Sequence, residues 1–230
     1  IKYSPSGLKF EILEADPRKV ILVKIIGLNN MKYLNLLFVI VMLFVSFGII
    51  SCSSQEYTTA KLAIQQSDFK KAEEWLPKAM SVEPDNPEIP MVMAIEIHAK
   101  NERWSEMVSM FEKAMNINPE KVIEVRGSFI PVKDAVNNYR EFYWANRFNA
   151  GVEQFKKIQD NPDKKMEYLD VAINHFLDAS IINPEDANTL STLAKCYLDK
   201  GQKESAKTAA LRAVKESCLL YTSDAADEED

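Results

Sequence analysis

The residue types that most often carry chemistry are scarce in this sequence. Its 230 residues include two histidines, His98 and His175, and three cysteines, Cys52, Cys196 and Cys218. No two cysteines have the short spacing of a metal or redox motif, and the histidines lie 77 residues apart without a paired motif. The sequence contains no glycine-rich phosphate loop. We therefore predict that the chain is not an enzyme and has no metal site and no cofactor.

Cys52 stands apart because it lies where a long apolar run meets a polar sequence. Met31 and Lys32 precede a stretch from Leu34 to Ile50 that is almost wholly apolar, and small or polar residues follow from Ser51. This order is typical of a secretory signal peptide. A spanning helix needs about 20 apolar residues, more than this run provides. A plain N-terminal anchor helix with a chance cysteine is the alternative.

The residues Ile49-Ile50-Ser51-Cys52 resemble the lipobox of bacterial lipoproteins: an aliphatic residue, a tolerant position, a small residue and a cysteine. The resemblance implies that the signal peptide at 31–51 is removed and that Cys52 receives a diacylglyceryl group. The new amino terminus is then acylated, and two or more acyl chains give stable membrane anchoring. Ser53, where aspartate favours the inner membrane, implies the outer membrane, facing the periplasm.

Residues 1–30 lie upstream of Met31 and lack an initiator methionine. Because a signal peptide belongs at the amino terminus, we predict that this segment is an upstream sequence translated in frame. A real cytoplasmic extension ahead of an internal anchor is the alternative. Residues 52–56 would then form a short tether between the lipid and the rest of the protein.

Internal repeats follow the tether. In three segments a bulky apolar residue stands three positions before an alanine, and a proline stands five positions after it. The alanines are Ala79, Ala114 and Ala179, and a fourth segment ends at Ala213. The apolar residues are Leu76, Phe111 and Phe176, and the prolines are Pro84, Pro119 and Pro184. The small residues indicate close helix contacts, and the prolines stand where a helix has ended.

This pattern resembles the tetratricopeptide repeat, a helix-turn-helix unit of about 34 residues. The fourth unit matches its first half best, at Leu190, Leu193, Ala194, Tyr197, Gly201 and Ala206. The resemblance implies an all-α fold in which repeats over residues 57–217 stack as a short right-handed solenoid, preceded by the signal peptide helix. A generic helical bundle is the alternative, and it does not account for the matched offsets.

The third unit departs from the pattern, because Gly151 and Ala172 are 21 residues apart where the repeat expects 12. The extra residues surround the polar stretch KKIQDNPDKK. We therefore predict two longer helices joined by an exposed loop. Residues 120–147 form an irregular middle with Gly127 and Pro131 as breakers, and a helix is predicted from Val132 into the third unit.

The concave surface of such stacked repeats binds a peptide or a partner helix. By resemblance, the first helix of each unit lines this surface, and the candidate residues are Tyr57, Lys61, Glu96, Lys100, Phe148, Asn188 and Lys195. Trp144 joins them because it lies off the face that Tyr139, Phe142 and Tyr143 share by helical spacing. That shared face is more typical of a core. No feature of the sequence identifies the partner protein or peptide.

The helical pattern stops at Ser217, and Cys218 begins the stretch CLLYTSDAADEED. This stretch resembles the translation of a sequencing adapter, so we predict that residues 218–230 are an artefact and that Leu211 and Val214 lack the cover of a capping helix. A genuine acidic tail is the alternative.

Five of the negative charges behind the net charge of −6 lie in the last seven residues. The remaining mild charge argues against nucleic acid as a partner. We predict a membrane-anchored lipoprotein of the bacterial cell envelope that serves as a protein–protein interaction scaffold in envelope assembly. The alternative is a truncated N-terminal anchoring or interaction module of a larger enzyme or sensor.

Overall fold

The computed structural model describes residues 2–3, 9–16, 19–26 and 53–227, and the chain divides into two compact units, residues 1–52 and 53–230. In the first unit, strands β1 (Lys2–Tyr3), β2 (Lys9–Asp16) and β3 (Lys19–Ile26) pair antiparallel in the order β1-β2-β3. The predicted signal peptide and Cys52 lie outside the described residues. That residues 1–30 are absent from the mature protein stays a prediction.

The described part of the second unit contains eight α-helices arranged as four consecutive pairs. The pairs are α1 (Gln55–Gln65) with α2 (Phe69–Val82), α3 (Glu88–Met93) with α4 (Trp104–Ile117), α5 (Val132–Asp160) with α6 (Lys165–Ile182), and α7 (Ala187–Asp199) with α8 (Lys203–Asp227). Helix α3 continues through a π-helical turn, Ala94–His98, and a 3-10 turn, Ala99–Asn101. Because α1 begins at Gln55, the predicted tether is two residues shorter than expected.

One hydrogen-bonded turn joins the two helices in units one, two and four. In each turn a backbone amide donates to the carbonyl five residues earlier: Asp68 to Ala63 at 2.8 Å, Arg103 to His98 at 2.9 Å, and Gln202 to Tyr197 at 2.8 Å. The residue before each donor has a positive φ, 59° at Ser67, 54° at Glu102 and 78° at Gly201. This Schellman arrangement satisfies the last carbonyls of a helix. Its recurrence marks the three pairs as the same structural unit.

A second recurring turn ends units one, two and three at the predicted alanines. The amides of Glu83, Asn118 and Asn183 donate to the carbonyls of Ala79, Ala114 and Ala179 at 2.8, 3.3 and 2.9 Å. All three alanine side chains are 0% exposed, and so are the three bulky apolar residues before them. The predicted burial of these three alanines is confirmed. The second unit is a helical solenoid of stacked helix-turn-helix repeats, as predicted.

The third unit has the longer helices and the exposed loop that its spacing predicted. Helix α5 has 29 residues and α6 has 18, with a 3-10 turn, Pro162–Lys164, between them. Residues 159–167 are all exposed. The two helices pack closely at Gly151, where an added Cβ would lie 2.7 Å from the ring of Phe176.

A β-hairpin between units two and three was not expected from the sequence. Strands β4 (Val122–Val125) and β5 (Ser128–Pro131) pair antiparallel, with Val125 opposite Ser128. Arg126 and Gly127 form the turn with φ of 49° and 81°, the positive values that a two-residue hairpin turn requires. Ile123 and Val125 are buried in the core that unit two shares with the start of α5.

Helix α8 extends to Asp227, ten residues beyond the point where the sequence pattern stops. The physical reason is that no glycine or proline interrupts the chain after Gly201. Leu211 and Val214 are exposed, as predicted, while the origin of residues 218–230 stays a prediction. No helix in the described ranges combines the length and apolar character needed to cross a membrane.

The recurring turn predicts opposite effects for two substitutions at equivalent positions. Nothing lies within 4 Å of a Cβ added to Gly201, so Gly201→Ala causes no steric clash. Its effect on stability comes only from the positive φ at this position. The left-handed conformation costs an L-residue about 1–2 kcal/mol, and a more restricted unfolded chain offsets about 0.4–1 kcal/mol of this. Gly201→Ala should lower the free energy of unfolding by about 1 kcal/mol. Ser67→Gly should leave it unchanged or raise it by up to about 1 kcal/mol. Urea denaturation measures both, and equal losses in the two variants would contradict the shared turn.

The contact between Gly151 and Phe176 predicts a coupling between the two positions. Alanine at 151 favours a helix by about 1 kcal/mol over glycine, but overpacking against the ring should cost about 1–3 kcal/mol. We expect Gly151→Ala to reduce the free energy of unfolding in the native sequence. In a Phe176→Leu background, which removes the ring, the same change should be neutral or stabilising. A double-mutant cycle with no coupling would show that the helices do not meet there.

Candidate partner-binding groove

The first helices of units one and two bring two of the predicted residues, Lys61 and Glu96, to one cleft of about 300 Å³. Lys61 comes from α1 and Glu96 from the π-helical turn, and both line this cleft. Ile64, Val92 and Ile95 supply apolar side chains between them. The tip of the β4–β5 hairpin lines the same cleft with Glu124, Val125, Arg126 and Gly127. The cleft thus combines apolar side chains with groups of both charges.

On the unit-one side, Glu88 gathers two of the predicted residues. The hydroxyl of Tyr57 donates to Glu88 Oε1 at 2.6 Å, and Lys61 Nζ lies 2.6 Å from the same oxygen. Burial, followed by the charge of Glu88, raises the pKa of the Tyr57 phenol far above its usual value. Tyr57 therefore stays protonated and serves as a donor. Sequence reasoning missed Glu88, whose only signal is its place in the first turn of α3.

On the unit-two side, Glu96 binds two basic groups. Lys100 Nζ lies 2.6 Å from Oε2, and Arg126 Nε donates to Oε1 at 2.8 Å. Burial alone would raise the pKa of Glu96, but the hydrogen bonds from Lys100 and Arg126 outweigh it and lower that pKa. Glu96 is therefore a carboxylate at neutral pH, although its side chain is only 13% exposed. Lys100 also lies 4.0 Å from the ring centroid of Phe69.

Arg126 reaches Glu96 from the hairpin tip, 30 residues away along the chain. Its side chain is 47% exposed, and its guanidinium carbon lies 5.8 Å from the centroid of the Tyr139 ring. Burial alone would lower the pKa of Arg126, but its hydrogen bond to Glu96 and the charge of Glu96 outweigh burial and raise that pKa. Sequence reasoning missed Arg126 because the only local signal was the Gly127 breaker that follows it.

Trp144 and Phe148 lie between units three and four rather than on an open surface. The indole Nε1 of Trp144 donates to Thr189 Oγ1 at 2.9 Å, and its ring stacks on Phe148 at 5.5 Å between centroids. Phe148 meets Phe176 edge-on at 5.3 Å. The polar atom of Trp144 is thus used within the fold, and its role as a partner contact stays a prediction. The hydrogen-bond acceptor, Thr189, lies 45 residues away along the chain, so the local sequence does not indicate this bond.

The remaining candidates, Asn188 and Lys195, are exposed on α7, the first helix of unit four. They lie far along the chain from the cleft and line none of its walls. They stay predicted contacts of the same groove surface. Of the eight predicted residues, Lys61 and Glu96 line this cleft. Tyr57 and Lys100 bind the cleft carboxylates Glu88 and Glu96 from outside its lining.

The histidines and Cys196 have structural surroundings. His98 is 5% exposed, and burial, followed by the charge of Arg103, lowers its pKa. Burial and then Arg147 lower the pKa of His175 as well. Burial raises the pKa of the Cys196 thiol to about 11, so it is protonated and unreactive at neutral pH. Within residues 53–218, no three His, Cys, Asp or Glu side chains are grouped as a metal site would require.

Comparison with solved structures gives loose matches to MamA proteins. MamA 41-end from Desulfovibrio magneticus RS-1 has 13% sequence identity, covers 73% of this chain and 98% of its own, and has a TM-score of 0.32. MamA MSR-1 C2 has 16% identity, covers 69% of this chain and 72% of its own, and has a TM-score of 0.26. These TM-scores are below 0.5, so the likeness to the MamA structures supports no conclusion about this chain. No curated protein is significantly similar to this chain.

Residues 187–217 match the sequence model of a tetratricopeptide repeat. This range covers α7, the recurring turn at Gly201 and most of the described side chains of α8. The same turn, with the same hydrogen bonds, closes units one and two. Residues 187–217 are therefore similar to a tetratricopeptide repeat, and units one and two contain the same turn as this fourth unit.

Proposed function

We propose that the chain binds segments of partner proteins along the groove lined by the first helices of its repeats. The observation that carries this proposal is the cleft of about 300 Å³ between α1, α3 and the hairpin tip. Apolar side chains flanked by a few placed polar groups are typical of sites that bind side chains of a peptide. Tetratricopeptide-type repeats form protein-interaction scaffolds, and such a role needs no catalytic group.

We further propose that this scaffold is a lipoprotein anchored through Cys52 to the outer membrane, facing the periplasm, where it takes part in envelope assembly. The n-region at Lys32, the apolar run and the lipobox-like residues before Cys52 support the anchor. Ser53 supports the outer membrane over the inner one. Two or more acyl chains would hold the protein at the membrane stably.

The alternative function, an interaction module of a larger enzyme or sensor, rests on the exposed apolar side chains of α8. Leu211 and Val214 are 63% and 62% exposed. Solenoid ends are normally covered by a capping helix with a polar outer face. A further helix of a longer chain could cover these two residues. The genomic sequence after residue 217 distinguishes the scaffold from such a module.

Partner binding through the cleft predicts different effects for two neighbouring substitutions. Gln65 is exposed and lines the cleft, whereas Gln66 is exposed and does not line it. Gln65→Arg should obstruct the cleft and reduce crosslinked partner recovered from membranes at least about fivefold, the effect of losing about 1 kcal/mol of binding. Gln66→Arg, with the same change one residue later, should leave recovery unchanged. Equal recovery with both variants, each melting like the native protein, would overturn binding at this cleft.

The lipid anchor predicts that Cys52 alone takes up fatty acid. A chain expressed from Met31 in a bacterium with two membranes should incorporate radiolabelled palmitate. Cys52→Ala should abolish the label, because the acceptor thiol is gone. Cys218→Ala should retain it, since Cys218 lies far outside the lipobox-like residues. Label that persists in Cys52→Ala would exclude this anchor.

A further inference from the structure

We infer that the cleft recognises a basic side chain of the partner segment, which takes the place of Arg126 on Glu96. This inference rests on the proposed function and adds the chemistry of the partner. Its starting point is that one basic residue from elsewhere in the chain already lies in the groove. Arg126 comes from the hairpin tip and binds a carboxylate on the first helix of unit two. The hairpin therefore shows which chemistry the groove accepts.

The contact with Arg126 contains the elements of a guanidinium site. Glu96 supplies a charged acceptor at 2.8 Å, and the ring of Tyr139 lies 5.8 Å from the guanidinium carbon. A carboxylate together with an aromatic face is a favourable environment for arginine. Glu96 is 13% exposed while Arg126 is 47% exposed. The acceptor is therefore fixed in the groove, and the donor lies at its rim.

Exchange of Arg126 for a partner side chain requires little rearrangement of the hairpin. Ile123 and Val125 anchor the strands, with 2% and 4% of their surfaces exposed. Arg126 is in the turn, so its side chain can swing into solvent while these anchors stay buried. A partly exposed ion pair contributes only about 0–1 kcal/mol, so a competing base can replace it. Lys100 continues to bind the other oxygen of Glu96.

The cleft beside Glu96 limits which segments fit. Ile64, Val92 and Ile95 offer an apolar surface for an aliphatic side chain next to the base. Glu124 adds a carboxylate to the cleft wall. An acidic segment would fit poorly, because Lys61, Lys100 and Arg126 each already lie 2.6–2.8 Å from a glutamate oxygen. The expected partner motif is thus an apolar residue followed by arginine or lysine.

A peptide titration of the full chain tests this inference. The probe is the acetylated, amidated tripeptide Val-Arg-Gly, and its control replaces arginine with citrulline, which has a similar shape and no charge. Binding is followed by NMR shifts of the backbone amides of Val92, Ile95 and Glu124. Arg126→Ala should bind the arginine probe about threefold more tightly than the native chain, because the competing internal base is gone. Glu96→Gln should weaken binding at least about fivefold.

Arg103→Ala is the matched control, since it also releases an arginine from a glutamate, Glu73, at 2.6 Å, and neither residue lines the cleft. It should bind the probe like the native chain. Equal binding of the citrulline peptide, or equal binding by native chain and Glu96→Gln, would overturn the inference. If the probe fails while Gln65→Arg still loses its partner, the scaffold function stands and only the basic motif is excluded. The arginine peptide can also bind while Gln65→Arg still recovers its membrane partner. That result supports the basic site and excludes partner binding at this cleft.

Discussion

A hydrogen bond between a backbone amide and the carbonyl five residues earlier closes three of the four helix pairs. It is made at Asp68, Arg103 and Gln202, within 2.8–2.9 Å each time. Because buried backbone groups must be paired, this bond ends the first helix, and the residue with positive φ before it turns the chain back. The second helix then packs against the first, and the alanines near the ends of the second helices of units one to three are fully buried. The pairing of the helices in these units follows from that reversal.

The groove owes its polar character to bonds between successive units. Lys61 of unit one binds Glu88 of unit two, and Glu96 of unit two binds Arg126 of the hairpin. In each pair the acid is less exposed than the base, 17% against 40% and 13% against 47%. In these two pairs the acid therefore lies deeper in the groove than the base. Exposed ion pairs of this kind add little stability, so they leave the groove chemistry open to exchange.

The features that could be predicted from the sequence are those set by local spacing. The alanines, the prolines after them and the lengthened third unit were all visible as offsets along the chain, because a helix places residues three and four apart on one face. The hairpin was not visible, because each of its strands has four residues, too few for a clear alternation. The hydrogen bond of Trp144 was not visible either, because its acceptor, Thr189, is 45 residues distant. Likewise, Arg126 reaches the groove only through a turn whose geometry depends on the packing of Ile123 and Val125.

Helix α5 affects how cooperatively this chain unfolds. Repeat arrays with contacts only between neighbours can lose units one at a time from either end. Here Val132, Ala135 and Val136 at the start of α5 lie in the core of unit two, while Phe148, Val152 and Phe155 pack into the core of units three and four. One uninterrupted helix, about 43 Å long at 1.5 Å per residue, therefore belongs to both cores. Loss of either core exposes part of the same helix, so the two halves are expected to melt as a single cooperative block and not as separate modules.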